Sequence, residues 1–236
     1  MKIGLATYKY MDNDIEFNIS QMEKALQKAE GKVDLLCFGE SFLQGFEALS
    51  WNFETDRHVA ITINSATMQG LCQLSLQYNT DFLFGYIERE GETLYSSCAV
   101  IAKGKLLHNY RRISKGWKEF SITDHHYKEG DDTAEFIYRG RPIKLAICGD
   151  LWDFPERFKT ETLLIWPVYV SFTLDEWVKE EAEYAAQAFL ATDHVLMINS
   201  LSDEPAVSHG GSFYFAEGKL KEKLPYDTEG ILIIEV

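Results

Sequence analysis

The 236-residue chain carries 37 acidic against 23 basic side chains, and a net charge of −14 argues against nucleic acid or an anionic membrane surface as its main partner. Its 46% apolar content supports a large core, and no apolar run approaches the ~20 residues that span a bilayer. Cys37, Cys72, Cys98 and Cys148 are widely spaced with no CxxC pair, which suggests neither a disulfide framework nor a zinc site.

The opening MKIGLATYKYMDND has one early lysine and a strand-like run broken by polar residues, so it does not read as a signal peptide. A cytoplasmic enzyme is the expectation. KIGLATY (2–8) has strand character. Ile15, Ile19, Met22, Leu26 and Ala29 then recur at steps of three and four, the stripe of an amphipathic helix, with Asp12 or Asn13 as its cap. VDLLCF (33–38) is apolar throughout, as in a strand covered on both faces. A second helix places Met68, Leu71, Cys72 and Ser75 on one face, with Asn64 or Ser65 as cap. DFLFGYIERE and TLYSSCAVIAKGKLLHNYRR (81–90 and 93–112) read as consecutive antiparallel strands, turned at Glu90-Gly91-Glu92 and Lys103-Gly104-Lys105.

The polar stretch 113–132 reads as a surface loop. EFIYRG, PIKLAIC and TLLIWPV (162–168) follow as strands, and Leu174, Trp177, Val178, Ala185 and Phe189 mark another helix. HVLMINS, GSFYFA and ILIIEV are the last strands. No linker, repeat or low-complexity segment interrupts the series, so one domain over 1–236 is expected. Strands in excess of helices imply an α/β fold of two mixed sheets packed together, with helices outside.

Chemistry concentrates at two strand ends. In KLAICGDLWDFPE (144–156) an apolar run stops at Cys148, followed by Gly149, which permits a sharp turn or close approach to a ligand. Free cysteines mostly pack, and that reading suffices for Cys37, Cys72 and Cys98. A thiol at a strand's carboxyl end instead opens into the crevice where α/β sheets bind ligands, and to act as a nucleophile it needs a base or cation nearby. Glu40 in CFGES stands just past the strand VDLLCF. If the two strands are neighbours in one sheet, Glu40 and Cys148 share a crevice. His125 and His126, adjacent on a loop, are not expected to converge as metal ligands, Tyr127 reads as a packing residue, and Asp150 reads as a brace for its turn.

Three segments together resemble the signature regions of the nitrilase, or carbon–nitrogen hydrolase, superfamily: F-G-E at 38–40, Y-R-R at 110–112 and ICGDLWDFPE at 147–156. The likeness runs almost end to end, from KIGLATY through LLIWPV to GGSFYFAEGKL. It implies a nitrilase-like αββα sandwich and a Glu–Lys–Cys triad. Glu40 would be the general base, and Cys148 the nucleophile that forms a thioester with a small amide. The Gly149 N–H would help hold the oxyanion, and Trp152 would border the substrate cavity. No cofactor or metal is implied, and a homodimer formed through the sandwich is.

The match departs at the lysine. Where the family has Y-R-K, this chain has Tyr110-Arg111-Arg112. Arginine keeps the charge but is longer, planar and never deprotonated. Arg112 is taken for the aligned slot, with Lys115 as the fallback. The second glutamate that many members carry after the lysine matches Glu119, with Asp124 and Glu129 as rivals. Function is therefore expected to be hydrolysis of a small amide or N-carbamoyl compound. The alternatives are a catalytically weakened binding or assembly protein, motivated by Arg112, and a glutaminase-type ammonia-releasing subunit, since ICGDLW resembles the cysteine segment of NAD-synthetase glutaminase domains.

Overall fold

Alternation within VDLLCF sorts its side chains to opposite faces of a sheet. In the computed structural model, which describes residues 1–202 and 208–236, Leu35 and Cys37 of strand β3 (Leu35–Cys37) face the packing layer between two sheets. Leu36 and Phe38 face outward, onto Met22, Ala25 and Leu26 of helix α1 (Ile15–Ala29) and Met68 and Leu71 of α3 (Ala66–Gln77). The two chemistries of one strand thus generate two layers, sheet on sheet and helix on sheet.

The first sheet has the order β14-β1-β3-β4-β5-β6, with β1 at Lys2–Thr7, β4 at Asp81–Glu90, β5 at Thr93–Ala102, β6 at Lys105–Arg111 and β14 at Gly230–Glu235. Strands β1, β3 and β4 run parallel. The β4–β5–β6 meander and the β14 edge are antiparallel. The second sheet has the order β13-β12-β10-β9-β8-β7, with β7 at Phe136–Tyr138, β8 at Arg141–Leu145, β9 at Leu163–Val168, β10 at His194–Asn199, β12 at Ser212–Ala216 and β13 at Lys219–Lys223. Its centre, β8-β9-β10, is parallel. A two-stranded pair, β2 (Lys9–Tyr10) with β11 (Leu201–Ser202), links the two halves. The arrangement is the expected αββα sandwich.

Four local details differ from the sequence expectation. Asp14, not Asp12 or Asn13, caps α1, accepting the Phe17 N–H at 2.9 Å. Ser65 caps α3, but Cys72 is only half-buried, and Leu74 takes its place on the inner face. The stretch 53–59, which the sequence pattern leaves unassigned, is a short helix, α2 (Phe53–Val59), capped by Asn52. Helix α5 (Leu174–Phe189) turns Trp177, Tyr184, Ala185 and Ala188 to the second sheet, while Val178 is 80% exposed and Leu174 and Phe189 are also exposed. The small alanines let the helix lie close to the sheet, and Leu174 and Val178 fall beside that face.

Helix α4 (Asp150–Asp153) is a single turn that follows β8. None of the described helices is long and apolar enough to cross a membrane.

Candidate active site

Glu40 and Cys148 do come together, but not as strand neighbours. Glu40 follows β3 in the first sheet and Cys148 follows β8 in the second, so the crevice lies where corresponding ends of the two sheets meet. The Glu40 N–H reaches the Val168 carbonyl at the end of β9 (3.4 Å), and its Oε2 accepts the Tyr169 N–H at 3.2 Å. Glycine makes the approach possible: a Cβ on Gly85 of β4 would lie 2.7 Å from the Glu40 Cα and 2.4 Å from the Ser41 nitrogen.

Cys148 sits at φ +44°, a left-handed conformation uncommon outside glycine and one that is often stored at functional sites. Three contacts hold it there: its N–H donates to the Pro167 carbonyl (2.9 Å), its carbonyl accepts the Trp166 indole N–H (2.8 Å), and its Sγ lies 3.9 Å from the Tyr169 carbonyl. The thiol and the Glu40 carboxylate are near enough for each to shift the ionisation of the other. Burial, and then Glu40, push the thiol up to about 12 against the charge of Arg112. Burial also pushes the Glu40 carboxyl up, opposed by Arg112. The resting thiol is therefore protonated at neutral pH and depends on a base to become a nucleophile.

Arg112 supplies the cation of this pocket. Its Nη1 donates to Glu40 Oε1 at 2.7 Å, with the two side chains only 4% and 1% exposed. Burial opposes its charge, but Glu40, Cys148 and Asp150 outweigh that and hold its pKa above the ordinary arginine range. Lys115 is exposed and takes no part. Glu119 is also exposed, turned back on its own loop to accept from the Ser121 hydroxyl (2.7 Å). Of its rivals, partly buried Glu129 pairs with Lys118 at 2.6 Å and Asp124 accepts from the His126 N–H, and among the described residues no hydrogen bond joins any of the three loop acids to Glu40 or Cys148.

Asp150 does more than brace its own turn. Fully buried, it accepts four hydrogen bonds: from the Ile147 N–H (2.8 Å), the Ile113 N–H (3.0 Å), the Ser114 N–H (2.7 Å) and the Tyr110 hydroxyl (2.6 Å). One carboxylate thus ties the segment carrying Arg112 to the strand end carrying Cys148. Gly149 lies under the guanidinium, where an added Cβ would stand 2.5 Å from Arg112 Nη2. Trp152 is half-buried and packs edge-on against Tyr184, 5.0 Å between ring centres, beside buried Trp166.

Two other features do not include Glu40, Arg112 or Cys148. Asp124, His125 and His126, expected not to converge, place one ligand atom each within 4.8 Å of one another, with the His126 ring stacked on Phe53. A cavity of about 380 Å³ opens at the other end of the second sheet, where Arg141, Leu163 and His194 begin their strands. Tyr127 packs as expected, and its hydroxyl also donates to Asp56 (2.7 Å).

A doubly layered sandwich with a carboxylate, a cation and a thiol at the meeting sheet ends defines a class. The carbon-nitrogen hydrolase family model matches residues 2–236, and the chain belongs to that family. It is 28% identical over 156 residues to an (R)-stereoselective amidase from Pseudomonas sp, which covers 66% of this chain and 54% of the relative. It is 27% identical over 158 residues to a glutamine-dependent NAD(+) synthetase from Thermotoga maritima, covering 65% of this chain and 26% of that protein. The chain therefore spans about half or less of the length of these relatives. In fold it is similar to a CN-hydrolase superfamily protein from Xanthomonas campestris, with TM-score 0.80 at 16% identity over 99% of this chain and 89% of that one. It is also similar to a mutant amidase from Nesterenkonia sp. AN1 carrying a covalent acetamide moiety at its active site cysteine. There the TM-score is 0.81 at 19% identity, over 100% of this chain and 90% of that one.

Proposed function

We propose that the protein hydrolyses the C–N bond of a small amide through a thioester on Cys148. The observation that carries this reading is the convergence of buried Glu40 and Arg112 on the half-buried Cys148 thiol at one crevice. Glu40 takes the thiol proton as sulfur attacks the amide carbon, so the C–S bond forms as the carbonyl electrons move onto oxygen. The Gly149 N–H and the Arg112 guanidinium face the developing oxyanion. Collapse expels the amine, which leaves with the proton from Glu40, and the thioester remains. Water then adds to the thioester carbon with Glu40 again as base, and the acid departs as the thiol is restored. Splitting one difficult step into two is what the thiol contributes.

The family membership and the similarity to amidases support this chemistry, and the loop acids are left without a role in it. The similarity to glutamine-dependent NAD(+) synthetases favours a second reading, in which glutamine is the amide and ammonia is passed to another protein. Incubation with a panel of carboxamides, N-carbamoyl compounds and glutamine, scored by ammonia release, separates the two. Activity on any of them should vanish in Cys148→Ala. Ammonia release that survives this substitution rules out the thioester mechanism.

A further inference from the structure

We infer that Ser114 is a positioning residue that makes an arginine serviceable as the cation of this site. The inference rests on the hydrolase reading above.

A lysine ammonium is a point charge that one acceptor can steer. A guanidinium is a planar fork whose donors point in fixed directions, so it must be held at two nitrogens before the third has a defined aim. Arg112 is held in this way. Its Nη1 donates to Glu40 (2.7 Å) and its Nε donates to the Ser114 hydroxyl oxygen (2.6 Å), inside a pocket where Ser114 is fully buried. With those two bonds made, the plane is fixed and Nη2 lies over Gly149, next in the chain after the thiol.

The backbone that carries this hydroxyl is itself fixed. The Ser114 N–H donates to Asp150 Oδ1 at 2.7 Å, and the same carboxylate takes the Ile147 N–H at 2.8 Å, one residue before Cys148. The line Arg112–Ser114–Asp150–Ile147 therefore references the guanidinium to the backbone that carries the thiol, independently of Glu40. Glu40 alone would leave the fork free to swing about its Nη1 bond. Ser114 removes that freedom, and its hydroxyl has no counterpart task if residue 112 is lysine, which has no Nε–H to receive.

This dependence gives the test. Ser114→Ala should lower kcat on the best amide of the panel by about tenfold or more, the scale of a reacting group misplaced by a fraction of an ångström, with KM changed by less than about threefold. In an Arg112→Lys background the same substitution should change kcat by no more than about twofold, because there is no Nε to lose. Equal losses in both backgrounds, or no loss in either, would overturn the inference, since packing at residue 114 does not depend on which cation sits at 112. If Arg112→Lys does not fold, Arg112→Met is the background, as it also lacks Nε. The rate of Cys148 alkylation by iodoacetamide gives the same cycle a readout that needs no turnover. A wild type that releases no ammonia from any amide would defeat the hydrolase reading. Slower alkylation in Ser114→Ala, confined to the arginine background, would still uphold the positioning role, and unchanged alkylation would end it.

Discussion

Arg112 and Glu40, which follow β6 and β3 of the first sheet, face each other at 2.7 Å although they lie 72 positions apart in the chain, with almost no solvent around either. A pair so buried is not a reservoir of stability, because desolvation offsets much of the attraction. Breaking it is costly all the same, since it strands a charge. Arg112→Ala should therefore lower both activity and stability, the latter by about 3–5 kcal/mol, read by denaturant unfolding. Glu40→Gln is nearly isosteric and still offers Arg112 an oxygen. It should still fold, melting below wild type but above Arg112→Ala because the amide oxygen keeps one hydrogen bond to the guanidinium, while amide turnover falls at least ~100-fold, the scale of a general base. Turnover retained in a well-folded Glu40→Gln protein would remove Glu40 from the mechanism.

The thiols offer a second test. Cys37 and Cys98 are sealed in the core, but Cys72 is half-exposed on α3 and is the real competitor for a labelling reagent. Burial raises its thiol too, and it has no carboxylate beside it to take the proton. At neutral pH Cys148 should alkylate with iodoacetamide about tenfold faster than Cys72 or more, and Glu40→Gln should abolish the advantage. Peptide mapping by mass spectrometry decides. Faster labelling of Cys72 in the wild type, or an advantage that survives Glu40→Gln, would contradict base activation of Cys148.

Much of this site was legible in the sequence because local pattern carries it. Glu40, Arg112 and Cys148 each close a strand that hydrophobic runs announce, and Gly149 marks a close approach. Sheet membership was not legible. The chain runs out of β3 and β8 through apolar residues in both cases, and only pairings with distant strands, such as β1 with β14 at the other end of the chain, decide that they lie in different sheets. The burial of α5 was misread for a related reason. Its sequence offers two adjacent apolar stripes, and the sheet selects the one with Ala185 and Ala188. Ser114 gave no signal at all: a serine in a polar loop is unremarkable until the guanidinium is seen to rest on it.

Ionisation should shape the pH profile. Burial raises the Glu40 carboxyl above the usual carboxylate range, and Arg112 holds it lower than burial alone would. The base works only when deprotonated, so kcat/KM should climb with pH at a midpoint above that of an ordinary glutamate. With the thiol pushed up to about 12, its own ionisation adds no second limb through neutral and mildly alkaline pH. Replacing Arg112 by Met removes the opposing charge and should move the rising limb to still higher pH. A limb at the normal glutamate position, unmoved by Arg112→Met, would mean that another group is the base.

Gly149 provides the sharpest distinction between backbone need and side-chain need. Its backbone, at φ −62° and ψ −9°, is ordinary right-handed helix that any residue adopts, so conformational freedom does not explain the glycine. What an alanine would meet is Arg112: the new Cβ would stand 2.5 Å from Nη2 and 3.1 Å from the Ser114 hydroxyl oxygen. Because the guanidinium is held at Nη1 and Nε, it can yield only by giving up one of those bonds. Gly149→Ala should therefore fold with a near-normal melting curve yet lose about tenfold or more of kcat, in line with displacement of a reacting group. In an Arg112→Lys protein the shorter, unforked side chain vacates that space, and Gly149→Ala should cost little further. Equal losses of activity with arginine and with lysine would show that the glycine serves the backbone after all, and that its contact with the guanidinium is incidental.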